Sequence, residues 1–263
     1  MPIAVGETRV EAVLFDLDDV LVPFHTPLAW QWAWRPQGPA LGERRVQAAI
    51  RRSLHAWDRR RWQGVVGRSP PADLEAFRSH LAATLATIAG HALPADETAA
   101  VVRRILRPSG EIERYPDAAP ALDRLRAEGV RCGIVTPIPA ESATWLLRRV
   151  GLPADLLLGT GDPGAPVVPA KEAFRAAVAR LGATPATTAF VGDLFWSDVR
   201  AAHRAGLVAV LLDRHDAWPR VTAGRMRSLA DLEATIARGA MTGAEGAGPP
   251  DEPPAAGPNG EGK

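Results

Sequence analysis

Five short runs along the chain are apolar without helical spacing: Glu11–Leu17 (EAVLFDL), Arg131–Pro137 (RCGIVTP), Asp155–Gly161 (DLLLGTG), Thr188–Leu194 (TAFVGDL) and Leu207–Asp213 (LVAVLLD). Runs of this length suit strands buried on both faces, as in a parallel sheet. Between them lie stretches with apolar residues at helical spacing: Asp117–Gly129, Ala140–Gly151, Ala170–Gly182 and Trp196–Gly206. Each ends in the glycine that suits a helix C-terminus, and Asp117 is the candidate N-cap of the first. The alternation predicts an α/β fold, a doubly wound parallel sheet of Rossmann type with helices on both faces.

The segment 23–108 breaks this pattern. It has no comparable strand run and offers three amphipathic stretches, Ala40–Trp62, Pro71–Gly90 and Ala95–Arg107. The expected organisation is therefore a core made of 1–22 and 109–239, with a helical insert over 23–108. A tail over 240–263, rich in Gly, Pro and Ala, is expected to be disordered. No internal repeat is present.

Composition narrows the classes. With 46% apolar residues, the 263-residue chain can bury a substantial core. A net charge of +1 gives no electrostatic footprint for nucleic acid or a membrane surface. Cys132 is the single cysteine, so no internal disulfide or Cys-based zinc site is expected. No signal-peptide pattern opens the chain, and no apolar run reaches the roughly 18 residues of a spanning helix. The expected location is the cytoplasm. Twenty-nine cations are arginine and two are lysine, Lys171 and Lys263. Lys171, in "VVPAKEAFRAAVARLG", is thus the sole internal lysine.

The ends of the strand runs carry the chemistry. In a parallel α/β sheet, ligands bind beyond the carboxyl ends of the strands. The first run ends in Asp16-Leu17-Asp18, the second in Thr136, and the fourth in Asp193 with Asp198 five residues on. Paired acids two residues apart can divide labour: Asp16 attacks an electrophile, and Asp18 donates and accepts protons. Clustered carboxylates repel unless a cation sits among them, which makes Asp16 and Asp193 candidate Mg²⁺ ligands. Thr136 offers a hydroxyl donor, and a lysine nearby would offset phosphate charge. The chemistry implied is phosphoryl transfer through an aspartyl-phosphate, then hydrolysis.

These residues resemble the haloacid-dehalogenase-like (HAD) superfamily of hydrolases. "VLFDLDDVL" is similar to its first motif, "GIVT" to its second and "FVGDLFWSDVRAAHRAG" to its fourth. "YPDAAPALDRLRAEGVRCGIVT" matches the usual lead-in to the second. The resemblance spans Val10–Leu212 outside the insert. It implies Asp16 as nucleophile, Asp18 as general acid/base, and Thr136 as phosphate ligand. It further implies Asp193 as Mg²⁺ ligand together with the backbone of Asp18, Asp198 as supporting acid, and the insert as a cap that selects substrate. Dehalogenase relatives lack the second acid, because no alcohol leaving group needs a proton. Asp18 therefore favours a phosphatase over a dehalogenase.

Two departures bear on the phosphate site. Many relatives carry a third-motif lysine that aligns with Val168, leaving Lys171 one helical turn later as the candidate phosphate-binding cation. Relatives usually have Asn where this chain has Pro137, which has no N–H to offer. "GTGDPG" (Gly159–Gly164) fits G-x-G-x-x-G, but no helix opens there, so it is not a dinucleotide site. Trp30, Trp32 and Trp34, at period two, are candidates for packing of cap on core or for an aromatic wall. The expected function is a Mg²⁺-dependent phosphatase acting on a small phosphorylated metabolite. The alternatives are a HAD-like binding protein with weak or lost catalysis and, less favoured, dehalogenase or phosphonatase chemistry.

Overall fold

The computed structural model describes residues 4–5, 8–23, 53, 56, 58, 70–89, 92–106, 113–160 and 171–238. Trp30, Trp32, Trp34, Val168, most of Ala40–Trp62 and the tail over 240–263 lie outside the described residues.

Six parallel strands form the main sheet. In chain order the strands are β1 (Ala4–Val5), β2 (Thr8–Arg9), β3 (Ala12–Phe15), β4 (Arg131–Pro139), β5 (Leu156–Thr160), β6 (Thr188–Gly192), β7 (Val208–Leu212) and β8 (Arg225–Met226). The sheet order is β5-β4-β3-β6-β7-β8, while β1 and β2 form a separate antiparallel pair. The helices are α1 (Pro70–Ala89), α2 (Ala95–Leu106), α3 (Ala118–Ala127), α4 (Ala140–Val150), α5 (Lys171–Arg180), α6 (Arg200–Arg204) and α7 (Leu232–Ala237).

The strands are apolar on both sides because both sides are covered. Val13 and Phe15 of β3 pack with α3, α4 and α7 through Leu122, Leu125, Leu147 and Ile236. Ala12 and Leu14 face the opposite way, onto α5 and the Phe195–Ala202 stretch. This period-two division yields two buried layers, each residue removed from water contributing about 25 cal/mol per Å² of apolar area.

Each expected strand run contains a strand, and the expected helices Asp117–Gly129, Ala140–Gly151 and Ala170–Gly182 contain α3, α4 and α5. Gly151 adopts φ +65° and closes α4 as a left-handed cap. Two local expectations are corrected. Asp117 does not cap its own helix with its side chain; its carboxylate is taken by Arg214, Ser228 and the Leu229 N–H. Trp196–Gly206 is not one continuous α-helix, since it opens with a π turn over Phe195–Val199 before the short α6. Such wide turns cluster at functional sites. The helices α1 and α2 pack together. Among the described residues no helix is long and apolar enough to cross a membrane.

Candidate active site

Strand register brings the candidate acids together. Phe15 pairs with Ile134 on one side and Val191 on the other. The residues that follow on the three central strands therefore emerge side by side at the carboxyl edge. Asp16 leaves β3 with its N–H donating to the Val191 carbonyl at 2.9 Å. Its side chain is buried.

Thr136 is fully buried beside it and hydrogen-bonds to the Asp16 carboxyl group. It does not end its strand as expected: β4 continues to Pro139, with its register against β5 shifting between Val135 and Pro139. The shift follows from Pro137, which cannot donate to a ladder. The next amide, Ile138 N–H, donates to Thr136 Oγ1 at 3.3 Å. A backbone donor thus stands one residue beyond the one that Pro137 removes.

Asp18 sits in a tight turn. Leu21 and Val22 N–H both donate to the Leu17 carbonyl at 3.0 Å, and Asp19 N–H donates to the Val22 carbonyl at 2.8 Å. Asp19 holds φ +52°. That left-handed conformation disfavours most side chains, whereas a short polar residue tolerates it at about 1 kcal/mol over glycine. The turn holds Asp18 half-buried at the mouth, close enough for its charge to act on both Asp16 and Asp193.

Asp193 and Asp198 come from the end of β6 and the π turn. Asp198 Oδ2 accepts from Leu194 N–H at 3.1 Å, which bends its carboxylate back toward the strand. The approach requires Gly192, since a Cβ there would lie 2.6 Å from Asp198 Cβ and 2.7 Å from Phe190 Cε1. Trp218 Nε1 donates to the Asp193 carbonyl at 3.0 Å and steadies the same loop.

Oxygens of Asp16, Asp193 and Asp198 lie within 4.8 Å of one another. Burial pushes the Asp16 carboxyl well above the usual range; the charges of Asp198 and then Asp18 push it further, against opposing hydrogen bonds from Leu17 N–H and Thr136. Asp193 is raised by burial, then by Asp198, Asp19, Asp16 and Asp18. Asp16 Oδ1 is buried and accepts no hydrogen bond among the described residues. A hard divalent cation fits this donor set, because it needs oxygens and relieves the repulsion that raises both groups. Asp198, expected as a supporting acid, supplies the third carboxylate of the group, and the Asp18 side chain is not among the three.

Lys171 is the first residue of α5. A parallel strand and the helix after it meet at the strand's carboxyl edge, so Lys171 lies at the same edge as the acids. Its side chain is 53% exposed and its ammonium is 3.8 Å from Glu172. The structure brings Asp16, Thr136, Asp193 and Asp198 together with Asp18 at their rim, and leaves Lys171 at the surface.

Asp58, in the segment 23–108, is a residue that no sequence pattern singled out. It is fully buried and accepts from Trp196 N–H and Ser197 N–H, both at 2.6 Å. It therefore caps the π turn, whose first amides have no partner of their own. No local pattern announces it, since 139 residues separate Asp58 from Ser197.

The family described as haloacid dehalogenase-like hydrolase matches residues 10–206. A glyceraldehyde 3-phosphate phosphatase of Methanopyrus kandleri is 30% identical over 78% of this chain and 84% of its own length. A phosphoglycolate phosphatase of Synechococcus elongatus is 30% identical over 43% of this chain, which spans 54% of that relative. Among solved structures, the HAD hydrolase YfnB from Bacillus subtilis bound to magnesium superposes with a TM-score of 0.64 at 22% identity, over 87% of this chain and 99% of that one. The L-2-haloacid dehalogenase of Xanthobacter autotrophicus gives 0.60 at 21%, over 86% and 98%. At these identities the structural likeness carries the fold.

Proposed function

We propose that this chain, which belongs to the haloacid dehalogenase-like hydrolase family, hydrolyses a small organic phosphomonoester through an aspartyl-phosphate on Asp16. The observation that carries the reading is the close group of buried Asp16, half-buried Asp193 and buried Asp198, with Asp18 at its rim. Two curated relatives are named as phosphatases of small phosphorylated metabolites, which supports the same substrate class.

Asp16, Asp193 and Asp198, with the Asp18 backbone, would hold Mg²⁺. When bound, the ion lowers the repulsion among the carboxylates and offsets phosphate charge. Asp16 attacks phosphorus, and the bond to the ester oxygen breaks. Asp18 gives its proton to the departing alkoxide. The Asp18 carboxylate then takes a proton from a water that attacks phosphorus, the acyl–phosphate bond breaks, and inorganic phosphate leaves with Asp16 restored. Thr136 would offer its hydroxyl to a phosphoryl oxygen by exchanging its hydrogen bond with Asp16, and the Ile138 N–H would do so by leaving Thr136 Oγ1. Lys171 is the proposed cation for the phosphate. Its pair with Glu172 is exposed, worth roughly 0–1 kcal/mol, and easily exchanged for a dianion.

Asp16→Asn is expected to abolish hydrolysis of p-nitrophenyl phosphate, and beryllofluoride with Mg²⁺ should trap an adduct on the unaltered chain but not on the variant. Turnover that survives Asp16→Asn would sink the reading. A second reading, a binding protein with slow or absent turnover, is favoured by the missing amide at Pro137. It predicts phosphate-ester binding by calorimetry without adduct or product.

A further inference from the structure

Arg214 follows β7 at the carboxyl edge and is not among the residues assigned above. Its Nη1 donates to Asp117 Oδ2 at 2.9 Å and its Nη2 to Asp117 Oδ1 at 2.8 Å. Nη2 also donates to the Val20 carbonyl at 2.8 Å. The guanidinium lies 3.8 Å over the Tyr115 ring centroid. Tyr115 N–H donates to the Leu21 carbonyl at 3.0 Å, and Tyr115 Oη donates to Asp19 Oδ1 at 3.4 Å. Three consecutive residues of the turn, Asp19, Val20 and Leu21, are thus gripped by one stacked Arg–Tyr unit.

The unit is itself anchored. Asp117 accepts from Ser228 Oγ at 2.7 Å and Leu229 N–H at 2.9 Å as well as from Arg214. A planar fork that binds a carboxylate through two nitrogens, reaches a carbonyl and stacks on a ring is a task for arginine, and lysine cannot reproduce it. Burial and then the Asp19 charge push the Tyr115 phenol up, so it remains a hydrogen donor to Asp19. The turn that receives these contacts begins at Asp18, opposite Val22. Misplacing a proton donor by a fraction of an ångström costs rate without touching the substrate's other contacts.

We infer that Arg214 is a positioning residue for Asp18, acting through the Asp18–Val22 turn on proton delivery to the leaving group. The inference rests on the proposed phosphatase reading with Asp18 as the acid. Its signature is dependence on the leaving group. A p-nitrophenolate departs with little need of a proton, whereas a phenolate needs more help, and kcat/KM reports the steps through departure of the alcohol.

The test is kcat/KM for p-nitrophenyl and phenyl phosphate with Arg214→Met, Arg214→Lys, Tyr115→Phe and Asp18→Asn in the full chain with Mg²⁺. Arg214→Met is expected to raise the p-nitrophenyl to phenyl ratio by about fivefold or more, in the direction of Asp18→Asn, with Arg214→Lys giving only partial rescue. Tyr115→Phe, which removes only the phenol contact with Asp19, should move the ratio the same way by less. It also carries the test should Arg214→Met fail to fold. An equal fall on both substrates, or no fall, in the folded Arg214 and Tyr115 variants while Asp18→Asn shifts the ratio would overturn the inference and leave the phosphatase reading standing. An Asp18→Asn chain with an unchanged ratio would take down the acid role of Asp18, and the inference with it.

Discussion

Gly192 shows how one missing side chain sets the geometry of the site. The Asp198 carboxylate can approach Asp16 and Asp193 only because the space beside Gly192 is empty. Gly192→Ala is expected to destabilise the fold by about 2 kcal/mol or more in urea melts, since backbone-anchored Asp198 and the Phe190 ring must both shift. The clustered acids have an opposite cost. Removing the charge at Asp16 relieves burial and repulsion together, so Asp16→Asn should raise the apo melting temperature while abolishing turnover. Lys171→Ala is expected to lower kcat/KM on p-nitrophenyl phosphate by about tenfold, chiefly through KM. A change under twofold would mark Lys171 as a surface charge. Asp16 and Asp193 were legible in the sequence because each directly follows a short apolar run of the kind that forms a buried strand, and Thr136 and Asp198 lie within or just past such runs. Arg214 was not, because its partner carbonyl on Val20 is 194 residues away and no periodicity links them.

Among elements, the π turn over Phe195–Val199 links the end of β6 to Asp58. It carries Asp198 back onto the carboxyl edge of β6 and leaves the amides of Trp196 and Ser197 facing Asp58. Apolar spacing foretold a helix here, but not its width, since π and α turns bury the same kinds of residue over so short a span. The two-residue strands β1, β2 and β8 escaped for a related reason: two residues cannot display an alternation. Asp58→Ala leaves two buried amides without an acceptor and is expected to cost about 2–4 kcal/mol in denaturant melts. It should also weaken Mg²⁺ binding in calorimetry, because the turn that carries Asp198 loses its support. Loss of stability with unchanged Mg²⁺ affinity would confine Asp58 to a purely structural part.

For the molecule as a whole, the carboxyl group couples metal, proton and folding. Asp16 and Asp193 bind protons more tightly when folded than when unfolded. The folded state therefore holds more protons, and the contribution of these groups to apo stability falls as pH rises from about 4 through their raised pKa values. Mg²⁺ competes with those protons. The rise in melting temperature on adding Mg²⁺ should be larger at pH 8 than at pH 5, as scanning calorimetry with and without chelator will measure. Asp117 behaves in the opposite sense. Burial raises it, but the Arg214 and Ser228 hydrogen bonds outweigh burial and hold it low, so its stabilisation is present above about pH 4 and is lost as pH falls through its depressed value. The parallel sheet with helices on both faces was readable from the apolar runs, whereas the order of its strands was not, because no apolar run specifies its neighbour. The balance of charges inside the mouth was not, because it depends on how deeply each carboxylate is buried.

The Asp58 contact also constrains how such a protein can diverge. A carboxylate far away in the chain, Asp58, completes the start of the π turn that carries Asp198. A chimera carrying a foreign insert would leave the Trp196 and Ser197 amides open unless the donor brought an acid to the same spot. Replacement of the segment that carries Asp58 is therefore expected to cost more stability than substitutions beside it that keep the carboxylate.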